Sequence, residues 1–484
     1  MQKVKSFLIL FFFSLSTCFS QSEISAELLK EDLSILKFNL EHIHAGFYTY
    51  TNKPIMDEEF DRLRYSLTQP MSSIAFYRKL IDLNKFIRNG HTNIMPNAAY
   101  EKAIKQSFTL LPLEVYFDKN TLYILKNNSA DSSIKEGSQI ITINGENAVE
   151  LFKEISEKMP RDGYNTTFPE KITNLSFNEL YASIKGVSAM YKLELISPNG
   201  EIVSLDLKGL TKELIKKNKW ERYQDDGSWW GMREQPVLKL NIDKEAAVMG
   251  VQTFSIYYAK KVKQNFKKFF DESFAQLEKA KVKHLIIDLR DNGGGDEQPT
   301  LELFSHLTEQ PFTFYEDMYT ITNKIPNPKF YNLNGFYMNA LYPIFKLKKN
   351  EDRYSIKGIP GMKTFKPADS VFKGKVYVLT NGHSFSATGE ITSFIKNANR
   401  ATFIGEEVGG NTNQNVSGTT GTLTLPNSKV RVRIPIELFK LNVNHLDSMH
   451  GVIPDYTVRN SIQDELEGND SVMNFALKLI AKQK

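Results

Sequence analysis

Cysteine is almost absent from this chain of 484 residues, because Cys18 is the only one. A single cysteine cannot form an intrachain disulfide, and it cannot build a zinc site of the kind that uses several thiolates. Loss of the segment that contains Cys18 would leave no thiol for nucleophilic catalysis either. The fold must therefore be stabilised by its apolar core, which a chain of this length can divide among several domains.

The chain also has no large excess of one charge, and few of its histidines are close together in sequence. The formal net charge is +5, and the lysines and arginines form no long basic run, which argues against nucleic-acid binding. Among the eight histidines only His42 and His44 are close, and residues two apart on a helix point to different faces. Ordinary helix surface is the simpler interpretation of that pair. The sequence predicts no metal and no cofactor.

Only one long apolar run occurs, at the N-terminus. Two lysines precede apolar residues 7–15, a run too short to span a bilayer. This pattern predicts a signal peptide over residues 1–20, cleaved after Ser20. The alternative is a lipoprotein anchored at Cys18, although Thr17 is a poor residue directly before a lipidated cysteine. Either way we expect an exported protein of the periplasm or cell envelope, without a stable membrane span.

Three regions differ in their periodicity. Apolar residues three and four apart over residues 25–44 and 76–87 predict an N-terminal helical domain (residues 21–105), in which the helix over residues 76–87 is broken at Asn89-Gly90, just before His91. Short β runs follow, and IKEGSQIITING (residues 134–145) resembles a PDZ motif, with Ser138 in place of the usual Asp. A helix over residues 148–158 fits such a domain at residues 106–211, although a β-rich spacer remains the alternative.

The third region, residues 212–484, alternates strands and helices from about Pro236 onward. That alternation predicts an α/β core with right-handed crossovers. TLTLPNSKVRVRIPI (residues 422–436) predicts a hairpin that turns at Pro426-Asn427-Ser428. Residues of about 298–369 interrupt the alternation and suggest an insertion or lid.

Two strands end in turns that could form a site. VYVLT runs into NGHSFSATGE (residues 381–390), so that Ser384 and Ser386 stand at a helix N-terminus, where free amides stabilise negative charge. Either serine could instead simply cap the helix. LIIDLR runs into DNGGG (residues 291–295), whose glycines admit close approach of a ligand, or merely form a tight turn. Sites in open α/β sheets form at the carboxyl ends of strands.

Four segments, taken in order, resemble the C-terminal processing protease/tricorn family of serine peptidases. They are LIIDLRDNGGG, VYVLTNGHSFSATGE, RATFIGEEVGGN and HGVIPDY, which begin at residues 285, 376, 400 and 450. The resemblance implies a multidomain α/β protein: an N-terminal helical domain, a PDZ-like β-rich domain and a protease core of the ClpP/crotonase-like type. It also implies a serine endopeptidase that cleaves unstructured or C-terminal segments of proteins and needs no cofactor.

The same resemblance implies the site residues. The family nucleophile is a Ser followed by Ala, which selects Ser386 over Ser384, and its oxyanion hole corresponds to the N–H groups of Ala387 and Gly294. One branch of the family uses a Lys as base, but that position holds Asn411 here. The other branch uses a distant His, and Gly90-His91-Thr92 resembles its motif, so His91 is the expected general base.

Three departures from the family pattern leave questions open. The position of the Glu that orients the histidine holds Ser448, with Asp447 beside it, so either residue is a candidate. The residue before the histidine is Gly90 rather than a polar one, and one extra residue precedes Glu390. A weak or inactive member that binds peptides or hydrophobic ligands, as retinoid-binding relatives do, is therefore the alternative. The expected partner is a protein or peptide substrate, and the oligomeric state stays open.

Overall fold

The computed structural model describes residues 23–225, 236–243, 246–332, 348–350, 352–444 and 446–482. The predicted signal peptide, residues 1–20, lies outside the described residues, and so does Cys18. Across the described ranges, no helix combines the length and the apolar character that a membrane crossing requires.

The N-terminal region is helical, as its periodicity predicts. Side chains of Ser25, Asn52, Ser72 and Asn97 accept hydrogen bonds from first-turn amides and so begin four of the helices. The elements are α1 (Ala26–Ile43), α2 (Lys53–Tyr65), α3 (Ser73–Leu80), α4 (Asn84–Ile87), β1 (Asn93–Met95) and α5 (Ala98–Gln106). The short helix α4 ends at Arg88, whose left-handed backbone redirects the chain toward His91.

The middle region contains an antiparallel sheet in the order β2-β3-β4-β6-β7, and β5 pairs with β4. Helices α6 and α7 pack beside it, and the predicted helix over residues 148–158 is observed as α6. The elements are β2 (Leu113–Asp118), β3 (Thr121–Asn127), β4 (Gln139–Ile143), β5 (Glu146–Asn147), α6 (Ala148–Glu157), α7 (Thr167–Ile184), β6 (Met190–Ile196), β7 (Ile202–Lys208) and α8 (Lys212–Tyr223).

The C-terminal region has the predicted α/β organisation. Its first elements are β8 (Leu238–Ile242), β9 (Ala247–Val251), α9 (Ile256–Lys261), α10 (Phe266–Lys279), β10 (His284–Asp288), α11 (Glu297–Ser305), β11 (Tyr315–Thr320), β12 (Lys348–Asn350) and β13 (Arg353–Ser355). The remainder are β14 (Lys375–Thr380), α12 (Ala387–Asn397), β15 (Ala401–Gly405), β16 (Gln414–Thr424), β17 (Arg431–Leu441), β18 (Tyr456–Thr457), α13 (Ile462–Glu467) and α14 (Ser471–Ala481). The sheet order is β18-β15-β14-β10-β9-β8, parallel except for β8.

A further sheet joins the first region to the last. Strand β1 pairs with β17, which also pairs with β16 in the predicted hairpin and with β11. The hairpin turn docks on α1, because the buried Asp32 carboxylate accepts hydrogen bonds from the amides of Asn427 and Ser428. The proposed insertion at 298–369 is thus partly built into the core, since it contains most of α11 and the paired strand β11.

Apolar packing follows these connections. One buried cluster joins the N-terminal helices, the middle sheet and the β16–β17 hairpin. Another covers one face of the parallel sheet with α10, α11 and α12, and a smaller one lies between the other face and α14. The N-terminal region is therefore packed against the hairpin of the last region, which brings the loop of His91 to the parallel sheet.

Candidate active site

The two candidate turns lie side by side at the carboxyl edge of the parallel sheet. Strands β10 and β14 are neighbours, with Ile287 opposite Val378. The Phe385 amide donates to the Asn292 carbonyl at 3.0 Å, and the Asp291 amide donates to the Asn381 side chain at 3.0 Å. Adjacent parallel strands deliver their following turns to one place, as the sequence indicated.

The two serines of the second turn have different surroundings. Ser384 is fully buried, and its hydroxyl donates to the Leu289 carbonyl at 2.8 Å and accepts from the Asn381 amide at 3.1 Å. Ser386 is partly exposed, precedes α12, and its side chain makes no capping hydrogen bond. Helix capping is therefore the wrong interpretation of Ser386, whereas Ser384 ties the turn to β10.

The backbone of Ser386 is in a rare conformation. Its φ is 57° and its ψ is −126°, a combination that costs a non-glycine residue roughly 1–3 kcal/mol. Such strain persists only where surrounding contacts impose it, and it is frequent at functional sites. Here it marks the junction between β14 and α12, the kind of sharp strand-to-helix turn that exposes a serine hydroxyl above a sheet.

His91 lies beside this serine although 295 positions of sequence separate them. Its Nε2 is 3.1 Å from Ser386 Oγ, a hydrogen-bonding distance. The pairing of β1 with β17 holds the histidine loop near the site, because Asn93 is opposite Arg433 directly after the loop.

An aromatic stack fixes the plane of the His91 ring. Phe385, the residue between the two serines, stacks on it with ring centroids 4.6 Å apart, and Phe168 stacks on the other side of Phe385 at 4.2 Å. A Cβ at Gly90 would lie 2.5 Å from Phe385 Cζ. The glycine before the histidine, unexpected for the family, therefore leaves room for this stack.

Burial, with a further contribution from the positive charge of Arg433, lowers the pKa of His91 to about 3. The ring is therefore neutral at physiological pH, which a proton acceptor requires. If Nε2 is to accept the Ser386 proton, the ring must carry its own proton on Nδ1. Within the described residues Nδ1 is buried and has no hydrogen-bond partner.

The expectation that Asp447 or Ser448 hydrogen-bonds this ring is wrong. The Asp447 carboxylate accepts from the Met449 amide at 2.8 Å and so closes its own turn. The Ser448 carbonyl accepts from the Asn411 side chain at 2.6 Å. The segment instead packs against the residue after Gly163, since the Tyr164 amide donates to the Met449 carbonyl at 2.9 Å.

A carboxylate that the sequence did not single out contacts the histidine loop. Asp162 is buried, and its Oδ1 accepts from the Gly90 amide at 2.7 Å and from the Asn89 side chain at 3.4 Å. Asp162 lies 72 positions from Gly90 in an irregular segment between α6 and α7, so no local periodicity or motif could have indicated the contact.

Known proteins provide an independent comparison. Residues 246–458 match the model of peptidase family S41. This match assigns residues 246–458 to peptidase family S41. The protein is a serine-type peptidase with the multidomain α/β fold that the sequence predicts.

Solved structures share the fold of this chain. Mature CPAF in complex with lactacystin is 14% identical, with a TM-score of 0.65 over 94% of this chain and 98% of that chain. Another structure of mature CPAF is 15% identical, with a TM-score of 0.62 over 94% of this chain and 97% of that chain. None of the curated proteins matches the chain.

The two candidate oxyanion donors differ in whether their amides already donate a hydrogen bond. In the described part of the chain, no hydrogen bond occupies the Ala387 amide at the start of α12. The Gly294 amide donates to the Asn292 side chain at 2.9 Å. A Cβ at Gly294 would lie 2.8 Å from Ala387 N and from Ser386 Cβ, so the glycine lets the two turns approach each other.

Behind the serine, the S41 core buries a carboxylate. Glu390 accepts from Tyr315 Oη at 2.7 Å and from Asn415 Nδ2 at 2.6 Å, and burial raises its pKa. The amide of Glu390 also donates to the Ser386 carbonyl at 3.1 Å, so this residue supports the first turn of α12.

Asn411, at the position of the family lysine, is a buried structural residue. Its side chain accepts from the amides of Asn413 and Gln414 and donates to Ser448. In the described ranges, no group of three or more His, Cys, Asp or Glu side chains is placed to hold a metal ion.

Proposed function

We propose that this S41 peptidase is an exported endopeptidase that cleaves unstructured or C-terminal segments of proteins through an acyl-enzyme on Ser386. The observation that carries the proposal is the 3.1 Å approach of His91 Nε2 to Ser386 Oγ. A neutral imidazole at that distance is a general base for a serine nucleophile.

The steps follow from the positions of these groups. Ser386 Oγ attacks the carbonyl carbon of the scissile peptide bond while its proton passes to His91 Nε2. The carbonyl oxygen becomes an oxyanion that the Ala387 amide and the Gly294 amide stabilise, for which Gly294 must release the Asn292 side chain. His91 then protonates the leaving amine, the C–N bond breaks, and water hydrolyses the ester by the reverse sequence of proton transfers.

The PDZ-like interpretation of residues 106–211 belongs to the same proposal. Strand β2 is at an edge of the middle sheet, and a groove of about 600 Å³ lies between β2 and α7. Side chains of both charges line the groove, among them Lys171, Glu170 and Glu179. A substrate segment added along β2 would use main-chain hydrogen bonds and so tolerate varied sequences. Part of the edge is already used, since the Phe117 amide donates to Asn174 at 2.9 Å.

Covalent labelling tests the catalytic half of the proposal. A fluorophosphonate probe should attach to Ser386, as mapped by mass spectrometry of the labelled peptide. Ser384→Ala should label like the wild type, and Ser386→Ala should not label. Absence of labelling in the wild type together with retained peptide binding would favour the alternative, a catalytically weak member that acts by binding. The observation that favours this alternative is that His91 Nδ1 has no hydrogen-bond partner among the described residues.

A larger side chain in the groove beside β2 tests the substrate-binding part of the proposal. Leu175 lines the groove and is 41% exposed, so Leu175→Trp should obstruct an extended peptide. We expect a higher KM for an unstructured protein and unchanged hydrolysis of 4-nitrophenyl acetate. Ile202→Trp is the matched control, because Ile202 is 78% exposed on the opposite edge strand β7. Equal effects of the two substitutions would contradict peptide capture in the groove.

A further inference from the structure

The proposed base lacks a hydrogen-bond partner on its far nitrogen within the described chain, because His91 Nδ1 is buried without a hydrogen bond. A serine peptidase needs its imidazole held in one orientation, which is usually the task of a carboxylate on the far nitrogen. The ring must therefore be oriented by other contacts, and the stack with Phe385 fixes only its plane. The position of the ring along that plane depends on the backbone of the loop.

Residues 162 and 163 bind the backbone of the histidine loop. The Gly90 amide, adjacent to His91, donates to Asp162 Oδ1 at 2.7 Å, and the Asn89 side chain reaches the same oxygen at 3.4 Å. Two more bonds continue the connection, since the Gly163 amide donates to the Arg88 carbonyl at 3.0 Å and the Arg88 guanidinium donates to the Gly163 carbonyl at 3.2 Å. Residues 162–163 thus pair with residues 88–90 as a unit.

We propose that Asp162 is the positioning residue of this active site, holding His91 at its distance from Ser386 through the Gly90 amide rather than through the imidazole. The inference rests on the proposed function. A charged acceptor makes a stronger hydrogen bond to an amide than a neutral one does, so the ionised carboxylate holds the loop most firmly.

The surroundings of the Asp162 carboxylate should make its hydrogen bond to the Gly90 amide dependent on pH. Burial raises the pKa of Asp162 to about 6, although the amides of Gly90 and Asn411 oppose the shift. The titratable groups around it are Tyr50, from the loop after α1, and Arg88 and His91, from the loop that it binds, with Arg161 next to it in the chain and His44 beyond Asn89. In the described residues none of these makes an ion pair with Asp162. Because the lowered pKa of His91 leaves its ring neutral near pH 6, an acidic limb that disappears when Asp162 is replaced would report protonation of this carboxylate.

Two substitutions separate positioning from simple structural support. Asp162→Ala removes the acceptor, and we expect kcat for 4-nitrophenyl acetate to fall about 10- to 100-fold with less than about a 3-fold change in KM, because the base is misplaced while the binding surface is kept. Asp162→Asn keeps an oxygen at the same place, and we expect kcat within about 5-fold of the wild type. The decline in kcat through pH 6 should be present in the wild type and absent in Asp162→Asn, which cannot ionise there.

Three results with the Asp162 variants would contradict a positioning role. An unchanged kcat in Asp162→Ala, an equal loss in both variants, or an acidic limb near pH 6 that survives in Asp162→Asn would each overturn the proposal. If Asp162→Ala does not fold, as judged by its circular dichroism, the pH profile of Asp162→Asn still decides. Fluorophosphonate labelling of wild-type Ser386 keeps the two proposals apart, since an unlabelled and inactive wild type refutes the proposed function, whereas an active wild type with indifferent Asp162 variants refutes only the positioning role.

Discussion

The two halves of the candidate site are built in different ways. The serine half consists of two turns that follow adjacent parallel strands, and its internal hydrogen bonds join these two turns to each other. The histidine half is a loop after α4, and its contacts come from three other parts of the chain: Asp162, Phe385 and the carbonyl of Val416. The first half is determined by strand order, and the second by how separate regions pack together.

Substitutions should therefore affect the two halves of the site differently. Parallel strands with buried apolar side chains form the most stable part of such a core, so substitutions in the serine half should remove a chemical group without moving its neighbours. The histidine loop depends on a few hydrogen bonds and one ring stack. Substitutions there should displace the base by fractions of an ångström and lower the rate in proportion.

The largest effect should come from the serine half. Ser386→Ala is expected to abolish hydrolysis of an unstructured protein, because no other group replaces the nucleophile. Ser384→Ala should keep most of the activity and instead lower stability by about 1–3 kcal/mol, since it leaves the Asn381 amide unpartnered and removes one of the two donors to the Leu289 carbonyl. Turnover and melting temperature of the two variants check this pair, and residual turnover in Ser386→Ala would remove it as the nucleophile.

Removal of the base should have the next largest effect. His91→Ala is expected to lower kcat by about two to four orders of magnitude with a smaller change in substrate binding. Asn411→Lys should not raise activity, because the Asn411 side chain is occupied by Ser448 and by two amides of its own turn. Steady-state kinetics check both variants, and a gain of activity in Asn411→Lys with no loss in His91→Ala would assign the site to a Ser–Lys mechanism.

A smaller effect should follow from crowding the histidine loop. Gly90→Ala places a Cβ 2.5 Å from Phe385 Cζ, so either the stack or the loop must shift. We expect kcat to fall about 10- to 100-fold while the protein remains folded. Gly250→Ala is the control, because the nearest atom to its new Cβ is 4.0 Å away. Equal kcat values in the two variants would show that the stack does not set the position of the base.

The smallest effect on catalysis should come from Glu390, where stability is the better measure. Glu390→Ala leaves Tyr315 Oη and the Asn415 amide without their acceptor and should cost about 2–4 kcal/mol. Glu390→Gln should cost less, because the Asn415 amide can turn its unpartnered Oδ1 toward the new amide. The raised pKa means that the folded protein binds this proton more tightly than the unfolded chain, so stability from this group is lost as the pH rises through the folded pKa. Unfolding curves of the wild type, but not of Glu390→Gln, should show that loss, and an identical pH dependence would contradict it.

Much of the fold could be predicted from the sequence, because its strands and helices carry their own periodicity. The strand before Asn381 and helix α12 occur where their apolar patterns place them, and the hairpin turns near Asn427 as its polar residues indicate. The segment at 298–369 is less predictable from sequence, since β11 forms a strand by pairing with the distant β17 and with β13. A short strand stabilised by a distant partner leaves little trace in local sequence.

Of the candidate site, the sequence by itself determined the serine half: local motifs place Ser386 at a strand-to-helix turn and Gly294 in the neighbouring turn, because adjacent strands impose where their turns meet. Only the tertiary structure decided which carboxylate holds the histidine loop. Asp162 replaced Asp447 and Ser448 as the candidate because the partner of a loop amide depends on how separate regions pack, and no spacing along the chain encodes that packing. Tertiary structure also decided the ordinary role of Ser384, whose hydroxyl is buried against β10 while that of Ser386, two residues away, is partly exposed.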